Sequence, residues 1–173
     1  MNLTDHCRRV ELILSDVDGV LTDGGILFDN QGIEIKKFHI RDGLGIKLWQ
    51  RAGFKFGVLT ARTSHIVKLR AGGLGIDIVR QGFEDKLPVM HELLKELNLS
   101  PEQACYIGDD LTDLPAIRLV GLGVAVADAA TEVRAAADHV TRQPGGRGAV
   151  RELVETILKA KGRWEDVIQP YVT

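Results

Sequence analysis

Short apolar runs rich in β-branched residues alternate along this chain with segments of helical spacing, and this alternation constrains the fold most. The runs occupy residues 12–14, 56–59, 76–79, 104–107 and 123–126, with a weaker sixth at 139–141. The helical segments occupy residues 43–52, 64–72, 86–97, 113–119, 131–136 and 149–161. Strands that are apolar throughout are buried on both faces, and right-handed crossovers place helices on both sides of them. The pattern predicts a three-layer α/β/α protein with a mostly parallel, Rossmann-like sheet.

Composition limits the classes of protein to which the chain can belong. It has 173 residues, 45% of them apolar, and a formal charge of -2, which predicts one domain over residues 1–173 and disfavours nucleic-acid binding. No apolar run reaches the roughly 18 residues of a membrane span, and the N-terminus lacks the apolar stretch of a signal peptide. We therefore expect a cytoplasmic protein without membrane contact. Cys7 and Cys105 lack metal-type spacing, and we expect Cys105 to be a buried, reduced thiol.

Polar residues close several of the predicted strands. They are Asp16 and Asp18 after the first run, Thr60 and Arg62 after the second, Lys86 after the third, and Asp109, Asp110 and Asp113 after the fourth. In parallel sheets ligands bind at the carboxyl ends of the strands, so these side chains are predicted to converge on one crevice. Several carboxylates close together repel one another unless a cation neutralises them. The sequence therefore predicts a site for a divalent cation.

Each of these residues has a predicted part in phosphoryl transfer. Magnesium takes a few carboxylates and a carbonyl, so Asp16, the backbone carbonyl of Asp18, and Asp109 are candidate ligands of Mg2+. Asp16 is the candidate nucleophile that forms an aspartyl phosphate, and Asp18 is the candidate acid–base residue. Thr60 and Lys86 are predicted to hold phosphate oxygens. Asp113 either orients Lys86 or a metal-bound water, or is only a helix cap.

The stretches DVDGVLTDG, LTAR, the isolated Lys86 and GDDLTD resemble, in this order, the four motifs of the haloacid dehalogenase superfamily of phosphotransferases. Four further stretches resemble its capless subgroup that acts on sugar-acid phosphates: GILFDNQGIEIKKFHIRDGLGIK, TARTSHIVKLRAGGLGI, QGFEDKLPVM and PGGRGAVREL. The resemblance implies hydrolysis of 3-deoxy-D-manno-octulosonate 8-phosphate (KDO 8-phosphate) in lipopolysaccharide precursor synthesis, with Mg2+ as cofactor. A nonulosonate 9-phosphate is the alternative substrate.

The resemblance also implies which residues surround the sugar acid and its phosphate. With Asp18 and Thr60, the predicted substrate site comprises His39, Ile40, Arg41, Asp42, Gly43, Lys47, Arg62, Arg70, Lys86 and Arg147. A substrate with both a carboxylate and a phosphate needs more cationic donors than a metal and Lys86 supply, which agrees with the four arginines. His39 is expected to contribute through its backbone at least, and no acid–base role is assigned to it.

Residues 19–59 are used by a hairpin, a helix and a strand, so no cap domain fits there. The hairpin is predicted at about residues 25–38, around a turn at 29–32. A lone two-stranded hairpin is marginal in water, and the resemblance implies that it packs against its copies in a homotetramer. A C-terminal tail at about 162–173 is expected to reach a neighbouring active site.

Two other classes of protein share part of this pattern. A signalling receiver domain also clusters acids, a threonine and a lysine on an α/β sheet. It does not need an acid–base residue like Asp18, and it places no metal ligand after its lysine. A non-catalytic oligomerisation module of the same superfamily could lose Asp16 or Asp18 without cost to its fold, and this chain has both. The phosphatase is therefore the favoured interpretation.

Overall fold

The computed structural model describes residues 2–172, and a sheet of six strands forms the middle layer of this part of the chain. The sheet strands are β1 (Leu12–Ser15), β4 (Lys55–Thr60), β5 (Ile78–Gln81), β6 (Ala104–Gly108), β7 (Leu122–Ala125) and β8 (His139–Val140). They lie in the order β5-β4-β1-β6-β7-β8, and every pairing is parallel. A separate antiparallel hairpin joins β2 (Leu27–Phe28) to β3 (Glu34–Ile35).

Helices cover both faces of the sheet. They are α1 (Leu3–Arg9), α2 (Ile40–Arg51), α3 (His65–Leu74), α4 (Lys86–Glu96), α5 (Leu114–Leu119), α6 (Thr131–Ala136), α7 (Ala149–Ala160) and α8 (Trp164–Val172), with short 3-10 turns at Pro101–Gln103 and Leu111–Asp113. Helix α2 packs against α3, α7 and α8, whereas α5 packs against α4 and α6. Right-handed crossovers on either side of β1 place these two groups on opposite faces. The predicted three-layer α/β/α fold with a hairpin after the first strand is confirmed.

The core lies between the sheet and the helices, and β1 is its centre. Leu12, Ile13 and Leu14 are fully buried because β1 has β4 on one side, β6 on the other, and helices above and below. Cys7 and Cys105 are buried and free, as predicted for Cys105. Within residues 2–172, no helix is long and apolar enough to cross a membrane.

Three elements differ from the sequence predictions. Strand β5 begins at Ile78 rather than at residue 76, because Gly75 adopts a left-handed φ of 68° and ends α3. Helix α1 was not predicted; the Asn2 side chain caps it by accepting from the backbone N–H of Asp5. Residues expected to form a tail include helix α8, which packs on α7 and α2 of its own chain through side chains such as Val167. Thr173 lies outside the described residues.

Candidate active site

The carboxyl ends of β1 and β6 form the crevice in which the predicted acidic residues meet. From β1 the chain moves outward on one side through β4 and β5, and later on the other side through β6, β7 and β8. Such a reversal of strand order opens a crevice at the carboxyl ends of the strands. Asp16 follows β1 directly, and its backbone N–H donates to the carbonyl of Ile107 on β6 at 3.1 Å. Asp16 is therefore held at the reversal point.

The ammonium group of Lys86 lies between two carboxylates. Lys86 Nζ donates to Asp16 Oδ2 at 3.0 Å, to Asp113 Oδ1 at 2.5 Å, and to the Tyr106 hydroxyl at 2.9 Å. Burial alone would lower the pKa of Lys86, but the charges of Asp16 and Asp113 raise it above its usual value. Its three N–H donors are all used. Lys86, which starts α4, thus positions the Asp16 carboxylate.

Tyr106 lies in the middle of β6 and completes this buried group. Its hydroxyl donates to Asp113 Oδ1 at 2.7 Å. Burial, followed by the charges of Asp113 and Asp16, raises the pKa of Tyr106 well above its usual value, so the phenol stays protonated. Sequence reasoning missed Tyr106. The only signal was one hydroxyl in the otherwise apolar run ACYIG.

Asp113 also organises the loop after β6. Its Oδ2 accepts from the backbone N–H groups of Asp109 at 2.8 Å and Asp110 at 3.2 Å. Asp110 in turn accepts from the N–H of Leu111 and caps the 3-10 turn that follows. With its other oxygen on Lys86, Asp113 has the supporting geometry expected of it, and it connects the loop to the lysine.

Asp109 lies against the turn that follows β1. Burial, together with the charges of Asp113 and Asp16, raises the pKa of Asp109 to about 8. Gly19 has a φ of 88°, and a Cβ there would lie 2.0 Å from Asp109 Oδ2. Only glycine allows this close approach.

The carboxylates of Asp16, Asp109 and Asp113 fit a hard divalent cation. Each offers an oxygen within 4.8 Å of the other two, and one lysine faces three negative charges. Burial is the main cause of the raised pKa of Asp109, and the neighbouring charges of Asp113 and Asp16 add to it. Oxygen ligands of this kind suit Mg2+. Asp113 is fully buried and its oxygens accept from four donors, whereas Asp16 is slightly exposed and Asp109 is partly exposed, so Asp16 and Asp109 are the better placed ligands.

The Asp18 side chain lies outside that group of carboxylates and forms an ion pair with Lys36. Lys36 is also 3.2 Å from Glu34, the first residue of β3. Glu34 accepts from Arg62 Nη2 at 3.0 Å and from Ser64 Oγ at 2.6 Å. Sequence reasoning did not identify Lys36, Glu34 or Ser64. The alternation of charged and apolar residues at 33–36 was the available signal.

Thr60 and Arg62 lie where β4 ends. Thr60 is buried, and its carbonyl accepts from the backbone N–H groups of Gly82 and Phe83. Arg62 Nη1 is buried and has no hydrogen-bond partner among the described residues. A buried guanidinium nitrogen without a partner is costly, so this atom is available to an anionic ligand.

Residues 38–43 precede α2 and form its first turn, and their side chains have different surroundings. Arg70 stacks over the Phe38 ring at 5.6 Å, and its Nη2 lies close to Gly43. His39 caps α2 by accepting at Nδ1 from the N–H of Arg41 at 3.3 Å. Ile40 is 82% exposed.

Two further predicted substrate contacts are on α2. Lys47 is exposed and forms no ion pair within the described part of the chain. Asp42 is buried, and its Oδ1 accepts from the backbone N–H of Arg151 at 2.8 Å, which holds α2 against α7. Asp42 Oδ2 has no hydrogen-bond partner among the described residues, and Asp42 lines a cavity with Gly43 and Arg70.

Arg147 and Arg41 line a cleft of about 590 Å3 beside the crevice. Arg142 and Arg151, which sequence reasoning did not identify, line it too. The loop that carries Arg147 packs on the turn after β1: the N–H of Gly146 donates to the Val20 carbonyl at 2.8 Å. The cleft is therefore attached to the acidic site. Glu152 and Glu155 also line this cleft and pair with Arg142 and Arg151, which leaves Arg41 and Arg147 as its unpaired cations among the described residues.

Comparison with known proteins agrees with this geometry. A family model for haloacid dehalogenase-like hydrolases matches residues 63–153. The 3-deoxy-D-manno-octulosonate 8-phosphate phosphatase KdsC of Yersinia pestis is 47% identical over 164 residues, which is 95% of this chain and 88% of the relative. The same enzyme of Escherichia coli K12 is 43% identical over 159 residues, 92% of this chain and 85% of the relative.

The crystal structure of a 3-deoxy-D-manno-octulosonate 8-phosphate phosphatase from Moraxella catarrhalis contains magnesium, phosphate and KDO. It superposes on this chain with a TM-score of 0.95. Its sequence is 39% identical, and the match covers 97% of each chain. The fold and the order of the motifs agree with these matches. The chain belongs to the haloacid dehalogenase-like hydrolase family.

Proposed function

We propose that this chain is a magnesium-dependent phosphatase that hydrolyses KDO 8-phosphate to KDO and inorganic phosphate, in the cytoplasm, during lipopolysaccharide precursor synthesis. The observation that carries the proposal is the placement of the Asp16 carboxylate at the strand-order reversal, held by Lys86 beside Asp109. The identity of 43–47% to KDO 8-phosphate phosphatases over nearly the whole chain supports the choice of substrate.

The first step transfers the phosphoryl group to Asp16. A carboxylate oxygen of Asp16 forms a bond to phosphorus while the bond from phosphorus to the sugar oxygen breaks, and Asp18 gives its proton to that oxygen. Asp16, Asp109 and the backbone carbonyl of Asp18 would hold a magnesium ion, which supplies positive charge to the phosphoryl oxygens. The N–H of Val17 and the ammonium of Lys86 hold the two oxygens of Asp16 at 2.6 and 3.0 Å and orient the nucleophile.

The second step releases phosphate. Asp18, now a carboxylate, takes a proton from a water that attacks phosphorus, and the bond between phosphorus and Asp16 breaks. Lys86 has no spare donor in the resting site, so the donor that holds Asp16 is the one we assign to the phosphoryl oxygen during transfer. Thr60, buried at the end of β4, is the proposed second donor to the phosphate.

The cationic residues around the crevice are the proposed contacts of the sugar acid. Arg62 has a buried nitrogen without a partner, Arg70 lies beside Gly43, and Arg41 and Arg147 line the adjoining cleft. A carboxylate and a phosphate on one substrate match such a set, since guanidinium groups bind both anions in two-point contacts. A nonulosonate 9-phosphate shares these anions, and a direct comparison of substrates separates the two.

We further propose a homotetramer, because the hairpin carries several exposed apolar side chains. Ile26, Leu27, Phe28, Ile33 and Ile35 are between 50% and 62% exposed. Apolar side chains grouped on a small exposed hairpin are typical of an interface. A second copy of the same hairpin would bury them by symmetry.

The test is phosphate release by the purified protein with magnesium, compared for KDO 8-phosphate, a nonulosonate 9-phosphate, a hexose phosphate and p-nitrophenyl phosphate. A strong preference for KDO 8-phosphate supports the proposal. Equal, slow hydrolysis of all four removes the substrate assignment, and no hydrolysis removes the phosphatase. EDTA should abolish the activity and magnesium restore it; full activity in EDTA would contradict the mechanism.

A further inference from the structure

The hairpin reverses the usual polarity of a strand. Along residues 33–36 the exposed side chains are Ile33 and Ile35, and the partly buried ones are Glu34 and Lys36. Successive side chains in an extended segment point to opposite faces. The charged side chains of this segment therefore point toward the protein, and their contacts show what they serve.

Lys36 is among the least exposed lysines of the described chain: its side chain is only 2% exposed. Removing an ammonium group from water is costly unless a carboxylate compensates for it. Lys36 has two such partners, Asp18 and Glu34. A lysine held at both carboxylates has little freedom to move, so it fixes the groups that it binds.

Glu34 anchors this lysine to the rest of the site. Its carboxylate accepts from Arg62 Nη2 and Ser64 Oγ, and both residues come shortly after β4 along the chain. A continuous series of polar contacts thus runs from the end of β4 through Glu34 and Lys36 to Asp18. Among the described residues, Lys36 is the one side chain that binds the Asp18 carboxylate.

We infer that Lys36 is a positioning residue for the acid–base step, because it holds the Asp18 carboxylate where the leaving oxygen of the substrate departs. The inference rests on the proposed phosphatase function. Misplacing a reacting group by about 1 Å can lower a rate by about 100-fold, even when the substrate still binds. Lys36 acts through Asp18, so its loss should matter most where the leaving group needs a proton.

Comparing the hydrolysis of two phosphate esters distinguishes a positioning role of Lys36 from a role in folding or in substrate binding. The alkoxide released from KDO 8-phosphate needs a proton as it leaves, whereas p-nitrophenolate is a stable anion and leaves without one. The quantity to compare is kcat/KM, which reports the steps up to departure of the leaving group. The variants are Lys36→Met and, as a matched control, Lys37→Met. Lys37 is the next residue, is exposed, and pairs with Asp23 at 2.9 Å.

For Lys36→Met we expect kcat/KM to fall by about 10- to 100-fold with KDO 8-phosphate and by less than about threefold with p-nitrophenyl phosphate. Lys37→Met should stay within about twofold of the wild type for both esters. Lys36→Arg should recover most of the lost activity, since a guanidinium can bind both carboxylates. The affinity for the product KDO, measured by calorimetry, should change less than about twofold.

Three results would overturn the inference: an equal loss with both esters, no loss with either, or a loss matched by weaker KDO binding. The last would make Lys36 a substrate-binding residue. If Lys36→Met does not fold, Glu34→Gln and Lys36→Arg carry the test, and Glu34→Gln should show the same preference for the aryl ester at a smaller magnitude. A wild-type protein that hydrolyses neither ester would refute the proposed function itself, before any variant is compared.

Discussion

The six-stranded sheet and the hairpin arrange the same kinds of residue in opposite ways. In the sheet, β1 is fully buried and its charged residues follow the strand, at the crevice. Along residues 33–36 of the hairpin, charged residues face the protein and apolar residues face outward. A protein core needs the first arrangement, because burial of apolar surface drives folding. The second arrangement is expected of an element whose exposed apolar side chains are covered by another chain.

We expect the sheet to determine mainly the stability of the protein, and the hairpin to determine how precisely Asp18 is placed. The sheet holds Asp16, Lys86 and Asp113 with many buried neighbours, and its contacts do not depend on a partner. The hairpin holds Asp18 through one lysine, on two strands of two residues each. Changes in the sheet should therefore affect chemistry and folding strongly, and changes in the hairpin should affect assembly and placement.

The largest effect is expected for Asp16→Asn. An amide cannot attack phosphorus, so phosphate release should fall by about 10,000-fold or more. The thermal midpoint should not fall, because the change removes a negative charge from a group of three buried or half-buried carboxylates. Activity and thermal unfolding are measured on the same preparation. Appreciable turnover by this variant would contradict the nucleophilic role.

Lys86→Met should have the next largest effect, on stability. It leaves the buried Asp113 and Asp16 carboxylates without their cation, which is expected to cost about 3–5 kcal/mol. Urea unfolding measures this loss. Lys95→Met is the matched control, since Lys95 is exposed on the same helix, and it should change stability by less than about 0.5 kcal/mol. A similar small change in both variants would show that the ion pairs contribute little.

Changes on the outer face of the hairpin should affect assembly more than the protomer. The double variant Leu27→Ser/Ile35→Ser removes two exposed apolar side chains that lie opposite each other on one face of the hairpin. We expect it to shift the protein from the proposed tetramer to smaller species in light scattering, with an unchanged circular dichroism spectrum. Leu69→Ser, at an exposed apolar site on α3, is the control. A tetramer that persists in the double variant would exclude this face as the interface.

A further effect concerns pH. The pKa of Asp109 is about 8 in the folded protein against 3.8 ordinarily, so between these values the folded state holds a proton that the unfolded chain has released. Stability in EDTA should therefore decline as pH rises across this window. Burial raises the pKa of Asp16 as well, and its contribution has the same sign. In Asp109→Asn the decline should be weaker, and an unchanged slope would show that Asp109 does not cause it.

The predictions that held rest on the geometry of parallel sheets. The carboxyl ends of neighbouring strands meet at one edge, so the pattern of runs and polar ends was enough to bring Asp16, Lys86, Asp109 and Asp113 together. The central strand and the crossovers followed from the same pattern. The strand order and the convergence of these residues can therefore be predicted from local sequence.

The residues that were missed or misplaced depend on contacts between distant segments. Lys36 binds Asp18 only because the hairpin folds back on the turn after β1, and no local periodicity records that. The bond from the N–H of Arg151 to Asp42 likewise depends on the packing of α2 on α7. Helix α8 was predicted only as part of a tail, and its packing on α2 is another contact between distant segments.

The central position of β1 has a consequence for the order in which the protein is made. β1 pairs with β4 at residues 55–58 and with β6 at residues 104–107. During synthesis the strand that carries Asp16 leaves the ribosome first, yet its two neighbours follow much later. Contacts this distant in sequence form slowly. A growing chain therefore has no complete acidic crevice until residue 113 has emerged, and a shorter one carries Asp16 without Asp113.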